Sequence, residues 1–292
     1  MPLYGGIEAG GTKFACAVGT GPGDVRASVR FATRGPDETL DEAVAFFLAQ
    51  PERPRSIGIG SFGPIDPQRG SPTYGYITST PKPGWADTPI ASIIAKRLGV
   101  PVAFDTDVNA AALAEHVWGV ARGKKTFLYL TVGTGIGGGS IVHGRRLHGA
   151  LHPEMGHVAV LRAEGDTFPG TCPYHLDCLE GMAAGPAIEA RWGRKAASLS
   201  PDHAAWRLEA HYLGQAVAGF VLTLAPERVI LGGGVMKQRQ LFPMIREVVQ
   251  TRLNSYYPLA PLTQGADTYI VPPALGDDAG VLGGIALAAT VA

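Results

Sequence analysis

Two stretches of this sequence share one pattern, in which two apolar, strand-length runs are separated by a glycine-rich turn. The first extends from Gly6 to Val18 and the second from Leu130 to Ile141. A glycine turn between two such runs predicts a β-hairpin. Because the same device occurs once in each half of the chain, we expect two lobes of related α/β architecture, with the functional site between them.

The 292-residue chain is long enough for two lobes that each bury a core, although one large domain is also compatible with this length. We expect an N-terminal α/β lobe over residues 1–120 and a C-terminal α/β lobe over residues 121–292. The closing helix, residues 278–290, is expected to pack back on the first lobe. Strand patterns occur at 4–8, 13–18, 55–61, 100–104, 127–132, 138–142, 228–231 and 268–271, and helical patterns at 38–50, 89–98, 108–118, 187–192, 203–225, 237–253 and 278–289.

Composition and charge exclude several classes of protein. The 25 basic residues balance the 25 acidic ones, so no overall field directs the chain to nucleic acid or to a membrane surface. No apolar stretch approaches the roughly 20 residues that a membrane span needs, and no signal-peptide pattern is visible. We therefore expect a cytoplasmic protein without nucleic-acid or membrane partners.

Four residues in the second half have the spacing of a zinc site, namely His157, Cys172, His175 and Cys178. Zinc prefers thiolate and imidazole ligands in a closed tetrahedron, and three of these residues come from one tight loop. The pattern predicts a structural zinc that closes a polar loop, and the alternative is a surface loop with incidental Cys and His. Glu154 and Glu180 are poor ligands for such a site, so they are expected to face a substrate.

The two glycine turns also offer groups that bind phosphate, since main-chain amides supply fixed donors without side-chain bulk. The predicted phosphate-binding residues are Gly10, Gly11, Thr12, Lys13, Thr134, Gly135 and Gly137. For either turn taken alone, a tight hairpin without a ligand is an equal alternative.

Gly133, Gly135 and Gly138 also satisfy G-x-G-x-x-G, a motif of dinucleotide-binding proteins. That motif requires a helix after the glycines, whereas the residues that follow are β-branched and predict a strand. The segment after the glycines is therefore predicted to be a strand, which argues against a dinucleotide-binding site. A third glycine run, Gly232, Gly233 and Gly234, follows a strand pattern, and either flanks an adenine and ribose or forms a bare strand-to-helix turn.

Asp107 lies where a buried strand pattern gives way to a helix pattern. A carboxylate at the carboxyl end of a strand faces the crevice of an α/β sheet, where it can accept the proton of an alcohol that attacks phosphorus. Helix capping is the alternative role. Asp105 is the competing candidate, and its position within the strand predicts a structural role. His148 and His152 have no assigned partner and are treated as ordinary surface or loop histidines.

As an ordered set, the motifs resemble the ROK family of sugar kinases. The set comprises Gly10–Lys13, Gly58–Gly63, Asp107–Asn109, Thr131–Gly139, Glu154–His157 and Gly232–Gly234. Within the family, residues 6–13 and 172–181 look like the zinc-containing bacterial fructokinase branch. The resemblance implies the two-lobed actin-like ATPase (ribonuclease H-like) fold with the active site in the cleft, ATP and Mg²⁺ as cofactors, and a homodimer.

The resemblance also implies a reaction, the transfer of the γ-phosphoryl group of ATP to the 6-hydroxyl of fructose, with Asp107 as general base. The family counterparts of Asn109, Glu154, His157 and Glu180 contact the sugar, and Gly232–Gly234 would flank the nucleoside. The chain has Glu8 where many members have Asp, and Cys-His-Cys where many have three cysteines. Both departures match the fructokinase branch, although the longer Glu8 leaves open whether Mg²⁺ is held directly or through water.

Three alternatives follow from the same residues. The chemistry is equally compatible with mannose, glucose or an N-acetylhexosamine, because the named residues bind hydroxyls generically. A sugar-sensing regulator of this family would need a helix–turn–helix before the first hairpin, which already begins at Tyr4. A zinc-dependent hydrolase would need an open metal position, which four protein ligands do not leave.

Overall fold

The computed structural model describes residues 2–258, 261–262 and 265–292. The chain divides into two compact units. The first unit comprises Met1–Gly123, Arg146–Pro153 and Ala274–Ala292, and the second comprises Lys124–Arg145 and Glu154–Pro273. Residues 146–153, expected in the second lobe, belong to the first unit. Among the described residues, no helix combines the length and the apolar content needed to cross a bilayer.

A five-stranded sheet forms the centre of the first unit. Its strands are β1 (Tyr4–Ala9), β2 (Lys13–Gly21), β3 (Asp24–Ala32), β4 (Ile57–Ser61) and β5 (Val102–Thr106), in the order β3-β2-β1-β4-β5. The hairpin predicted for β1 and β2 is confirmed, and β1, β4 and β5 run parallel. Strand β3 was not predicted, because most of its side chains are exposed or half-exposed at the sheet edge and it lacks a continuous apolar run.

A second five-stranded sheet contains β6 (Phe127–Val132), β7 (Ile136–Val142), β8 (Arg145–Arg146), β9 (Val229–Gly232) and β10 (Ile270–Val271), in the order β10-β9-β6-β7-β8. Strands β6 and β7 form the second predicted hairpin, whose return strand begins two residues earlier than expected, at Ile136. Strands β6 and β9 are parallel, so both end at the same edge of the sheet. The predicted strand at 268–271 is shorter, since its first half is helical.

Nine helices are described. They are α1 (Pro36–Leu48), α2 (Ile90–Leu98), α3 (Asp107–Val117), α4 (Leu179–Ala183), α5 (Gly185–Trp192), α6 (Ala205–Leu224), α7 (Leu241–Leu253), α8 (Ala266–Tyr269) and α9 (Ala279–Ala288). Short 3₁₀ turns occur at Met155–His157, Ala196–Ser198, Val235–Lys237 and Gly276–Asp278. The helix expected over 237–253 begins only at Leu241, because a 3₁₀ turn precedes it.

Helix α9 packs directly on the backbone of the first sheet. A Cβ built on Gly6 of β1 would lie 2.3 Å from the Val281 carbonyl oxygen, and one on Gly58 of β4 would lie 2.0 Å from the Gly284 carbonyl oxygen. A Cβ on Gly284 would in turn lie 2.7 Å from the Gly6 Cα. No side chain fits at these crossings, so glycine on both elements allows the closing helix to contact the sheet.

We predict that Gly58→Ala destabilises the first unit. Strand β4 is paired on both sides, so it cannot move away from the helix, and overpacking of this kind costs about 2 kcal/mol or more. The measurement is the free energy of unfolding in denaturant. Gly23→Ala is the matched control, because a Cβ there would meet nothing within 4 Å. An equal loss of stability in both variants would contradict this account of the packing.

Candidate active site

Asp107 opens helix α3 at the carboxyl end of β5. It is half-buried, and its Oδ1 accepts a hydrogen bond of 2.8 Å from the Val108 amide. The helix cap is Thr106, whose hydroxyl accepts from the Asn109 amide at 3.1 Å. The capping role that the sequence left open for Asp107 therefore belongs to its neighbour. The Asp107 carboxylate lies in the first helical turn, where the helix dipole favours its charged form.

Asp105 lies two residues earlier and is fully buried. Its Oδ1 accepts hydrogen bonds from the Thr106 amide at 2.8 Å and from Asn109 Nδ2 at 2.9 Å, and lies 3.0 Å from His148 Nε2. Arg146 Nη1 lies 3.1 Å from Oδ2. Burial acts to raise the pKa of Asp105, but the His148 hydrogen bond and the Arg146 charge outweigh it and hold the pKa below its usual value. Asp105 is therefore ionised at neutral pH.

His148 and His152 have structural partners that sequence analysis missed. His152 Nε2 accepts a hydrogen bond of 3.0 Å from the Ile65 amide and its ring is buried. Gln68 Nε2 donates to the Gly149 carbonyl at 2.7 Å. Both histidines lie outside helices and strands, as expected of loop residues, but treating them as residues without a partner was wrong. The one available signal was the clustering of two histidines and an arginine within residues 146–152.

The turn between β1 and β2 has its carbonyl groups tied to the next strand. Thr33 donates to the Gly10 carbonyl through its hydroxyl at 2.6 Å and to the Thr12 carbonyl through its amide at 2.9 Å. A Cβ on Gly11 would meet nothing within 4 Å, and the side chains of Thr12 and Lys13 are exposed. The tip of the turn is therefore open, with an ammonium group beside it, as an anion site requires.

Glu8 lies on β1 just before this turn. Burial raises the pKa of its carboxyl, while the positive charges of Lys13 and Arg30 act in the opposite direction. Its Oε2 is enclosed and has no hydrogen-bond partner in the part of the chain that the structure describes. A Cβ on Gly280 would lie 2.4 Å from Glu8 Cδ, so a glycine at 280 makes room for the long side chain. An enclosed carboxylate oxygen without a partner fits Mg²⁺ or a water molecule bound to it.

In the second unit, the turn between β6 and β7 lies beside the third glycine run. Gly233 has a φ of 91°, and a Cβ there would lie 2.4 Å from the Val132 carbonyl oxygen. The Gly133 carbonyl accepts a hydrogen bond of 2.8 Å from the amide of Gly185, the first residue of α5. The structure therefore brings together Thr134, Gly135 and Gly137 with Gly232, Gly233 and Gly234. Strand β7 begins within the G-x-G-x-x-G motif and contains its last glycine, Gly138, so the helix that a dinucleotide site requires is replaced by a strand, as expected.

The four predicted zinc ligands lie together in the second unit, and their ligand atoms are all within 4.8 Å of one another. His157 Nδ1 lies 3.7 Å from Cys172 Sγ and 3.5 Å from Cys178 Sγ, and His175 Nδ1 lies 3.7 Å from Cys172 Sγ. A tetrahedral ion with Zn–S of about 2.3 Å and Zn–N of about 2.05 Å gives S···N edges of about 3.6 Å. The donor set and its spacing therefore fit zinc.

The loop that carries the ligands has a tight turn of its own. Cys172 and Leu176 exchange backbone hydrogen bonds of 3.2 and 3.0 Å, and Leu176 has a φ of 54°. A Cβ on Gly181 would lie 1.8 Å from the Leu176 carbonyl oxygen, so this turn packs against the start of α4. Burial, together with the neighbouring thiol of Cys172, raises the pKa of Cys178 to about 11. Two adjacent buried thiols become thiolates only beside a cation.

The two predicted substrate carboxylates have different settings. Glu180, in the first turn of α4, is half-buried, and its Oε2 accepts a hydrogen bond of 2.8 Å from the Ile136 amide. Glu154 is exposed, and its carbonyl accepts from the His157 amide at 3.0 Å. His157 is half-buried and directs Nδ1 at the sulfur atoms, so its Nε2 is the nitrogen that the cluster does not use.

Comparison with known proteins identifies relatives over almost the whole chain. The model of the ROK family matches residues 4–291. The chain is 44% identical over 286 residues to a fructokinase of Pediococcus pentosaceus, covering 98% of this chain and 97% of that protein. It is 42% identical over 295 residues to a fructokinase of Streptococcus mutans, covering 99% of this chain and 98% of that protein.

A solved structure has the same architecture. The crystal structure of a ROK hexokinase from Thermus thermophilus superposes with a TM-score of 0.76 and a sequence identity of 30%. The match covers 99% of this chain and 98% of the hexokinase. The two mixed sheets with their helices are therefore the actin-like ATPase fold of the ROK sugar kinases, as the sequence predicted.

Proposed function

This chain belongs to the ROK family, and from that premise we propose that it transfers the γ-phosphoryl group of ATP to the 6-hydroxyl of D-fructose. The coarser statement, a sugar kinase that uses ATP, follows from relatives that match over nearly the full length. The choice of D-fructose as the substrate is the more specific part of the proposal. The observation that carries it is the 42–44% identity to fructokinases across the whole chain, together with a Cys-His-Cys cluster whose geometry fits zinc.

Asp107 is the proposed general base. Its half-buried carboxylate lies at the carboxyl end of β5, in the row of strand ends from which the turn between β1 and β2 also begins. The carboxylate accepts the proton of the sugar 6-hydroxyl while that oxygen forms a bond to the γ-phosphorus and the bond to the ADP oxygen breaks. Asp105 is unsuited to this role, because it is fully buried, its Oδ1 accepts three hydrogen bonds and its Oδ2 is ion-paired with Arg146.

The nucleotide and its metal are assigned to the glycine turns and to Glu8. Main-chain amides of Gly10–Lys13 and of Gly133–Gly137 supply fixed donors for phosphate oxygens, and the third glycine run lets the backbone approach the nucleoside. Mg²⁺ neutralises phosphate charge when it is bound, and Glu8 offers it the enclosed carboxylate oxygen described above. Lys13 adds a positive charge beside the first turn.

The sugar is assigned to Asn109, Glu154, His157 and Glu180. Asn109 has an enclosed Oδ1 without a hydrogen-bond partner among the described residues, which suits it to accept from a hydroxyl. His157 retains Nε2 for a hydroxyl while Nδ1 faces the sulfur atoms. The proposed zinc is structural, because four protein ligands close the tetrahedron and leave no position for a reactive water. It orders the loop from which His157 and Glu180 project.

The other hexoses remain as alternatives, since a ROK hexokinase is also 30% identical to the chain. The homodimer implied by the resemblance and the cytoplasmic location expected from the composition also stay predictions.

We predict that D-fructose is the preferred substrate in a panel with ATP and Mg²⁺. The panel contains fructose, glucose, mannose, N-acetylglucosamine and N-acetylmannosamine, and ADP release is followed for each. Fructose is expected to have the highest kcat/KM, by about tenfold or more, because one polar group that a mismatched hydroxyl leaves unpaired costs about that factor. A higher kcat/KM for any other sugar would replace fructose and leave the kinase chemistry intact.

We predict that Asp107→Asn removes phosphoryl transfer without unfolding the protein. General-base catalysis contributes about 10²–10⁴-fold, so kcat should fall by at least about a hundredfold while the KM for ATP changes little. Asp37→Asn is the matched control, because it also removes a carboxylate from a first helical turn, at an exposed position of helix α1. Turnover in the Asp107 variant within a few fold of the wild-type rate would end the assignment.

We predict one zinc ion per chain, lost in Cys178→Ser. Loss of the ion should make the loop over residues 159–181 sensitive to protease, because its thiolate ligands hold it in place. Elemental analysis and limited proteolysis are the measurements. Cys16→Ser is the control, since this buried thiol lies outside the cluster and its variant should retain zinc. Loss of activity with an unchanged, protease-resistant loop would point to a catalytic zinc.

A further inference from the structure

The segment Arg146–Pro153, here called the return segment, belongs to the first unit and makes contacts that the proposed reaction does not use. Two of its side chains approach Asp105, with Arg146 Nη1 3.1 Å from Oδ2 and His148 Nε2 3.0 Å from Oδ1. Asp105 is 0% exposed. A buried carboxylate stays ionised only when it is paired and hydrogen-bonded. Arg146 and His148 therefore supply the partners that the Asp105 charge requires.

The hydrogen-bond chemistry of Asp105 fixes the orientation of the groups around it. An ionised carboxylate only accepts, so His148 Nε2 must carry the hydrogen that it shares with Oδ1. Asn109 Nδ2 donates to the same oxygen at 2.9 Å. If the Asn109 amide were rotated by 180°, its own oxygen would face the charged Oδ1 at hydrogen-bond distance. The carboxylate therefore locks the amide with Nδ2 towards Asp105.

The other end of the amide is consequently an acceptor. Asn109 is 1% exposed, and its Oδ1 has no hydrogen-bond partner in the described part of the chain. An enclosed acceptor left without a donor is destabilising, so Asn109 Oδ1 favours a partner that brings an O–H or N–H group. Asn109 lies two residues after Asp107 in the same helical turn, so a hydroxyl held there lies near the proposed base.

We propose that His148 is a positioning residue, which together with Arg146 holds Asp105 ionised and fixed so that Asn109 presents its carbonyl oxygen to a hydroxyl of the sugar. His148 itself does not touch the substrate, and the proposal rests on the proposed sugar kinase function. The two residues divide the task. Arg146 supplies the compensating charge, and His148 supplies the directional donor.

The test compares steady-state kinetics of wild-type protein, His148→Ala, His148→Gln and Gln68→Ala with the sugar that the wild type phosphorylates fastest. Loss of a hydrogen bond to a charged group costs roughly tenfold or more in affinity, so His148→Ala should raise the sugar KM by about that factor. The kcat and the KM for ATP should stay within about threefold, because the lost interaction orients bound sugar and does not act on the nucleotide.

Two further variants distinguish a positioning role of His148 from a general loss of order in the return segment. His148→Gln retains an amide donor near the place of Nε2 and should restore most of the wild-type sugar KM. Gln68→Ala removes another anchor of the return segment, the 2.7 Å bond to the Gly149 carbonyl, and touches neither Asp105 nor Asn109. Its sugar KM should equal that of the wild type. If His148→Ala fails to fold, His148→Asn replaces it, since its amide is too short to reach Asp105.

Three results would overturn the positioning role while the kinase stands. These are a wild-type sugar KM in folded His148→Ala, an equal rise of KM in Gln68→Ala, and no recovery in His148→Gln. If the wild-type protein phosphorylates no sugar of the panel, the proposed function fails, and the positioning role fails with it.

Discussion

The in-register parallel pairing of β1, β4 and β5 is the constraint on which the first unit's site depends. The pairing places Ala9, Ser61 and Thr106, the last residues of the three strands, in one row. Neighbouring strands lie about 4.8 Å apart, so the first glycine turn and Asp107 begin roughly 10 Å from each other at the same edge of the sheet. That span suits a phosphate tail at one end and an attacking hydroxyl at the other. Glycine at the crossings with α9 is what allows the closing helix to cover this sheet.

The second unit also places glycine turns at the ends of parallel strands, but a Cys/His cluster lies in the loop beside them. Strands β6 and β9 are parallel and both end in glycine turns, which is why the two runs lie side by side although about a hundred residues separate them. In the loop that follows β7, the apolar side chains of Leu161, Tyr174 and Leu176 are exposed, so burial of hydrophobic side chains contributes little to holding it. The four Cys and His side chains lie within 4.8 Å of one another, so the proposed zinc would supply a cross-link instead and would order the backbone that carries His157 and Glu180.

Local sequence patterns predicted much of this structure, because many of its elements form between residues that are close in sequence. Both hairpins, the Cys/His cluster and the long helices depend on residues close in sequence. The contacts that were missed join distant residues. His148 meets Asp105 across 43 positions and His152 meets the Ile65 amide across 87, and no periodicity records such pairings. Edge strand β3 escaped prediction for another reason, since its exposed side chains lack the apolar run of a buried strand.

The two neighbouring aspartates show how environment assigns chemistry to identical side chains. Asp105 is enclosed, charge-paired with Arg146 and bound by three donors, all of which stabilise its ionised form. A carboxylate that is fully enclosed and ion-paired in this way is out of reach of an incoming hydroxyl. Asp107, two residues on, is half-buried at the mouth of the helix, where its carboxylate is accessible. The pairs of carboxylates in other enzymes divide their roles on the same physical basis. This difference in environment supports the proposed division of roles, in which Asp105 orients Asn109 and Asp107 acts as the general base.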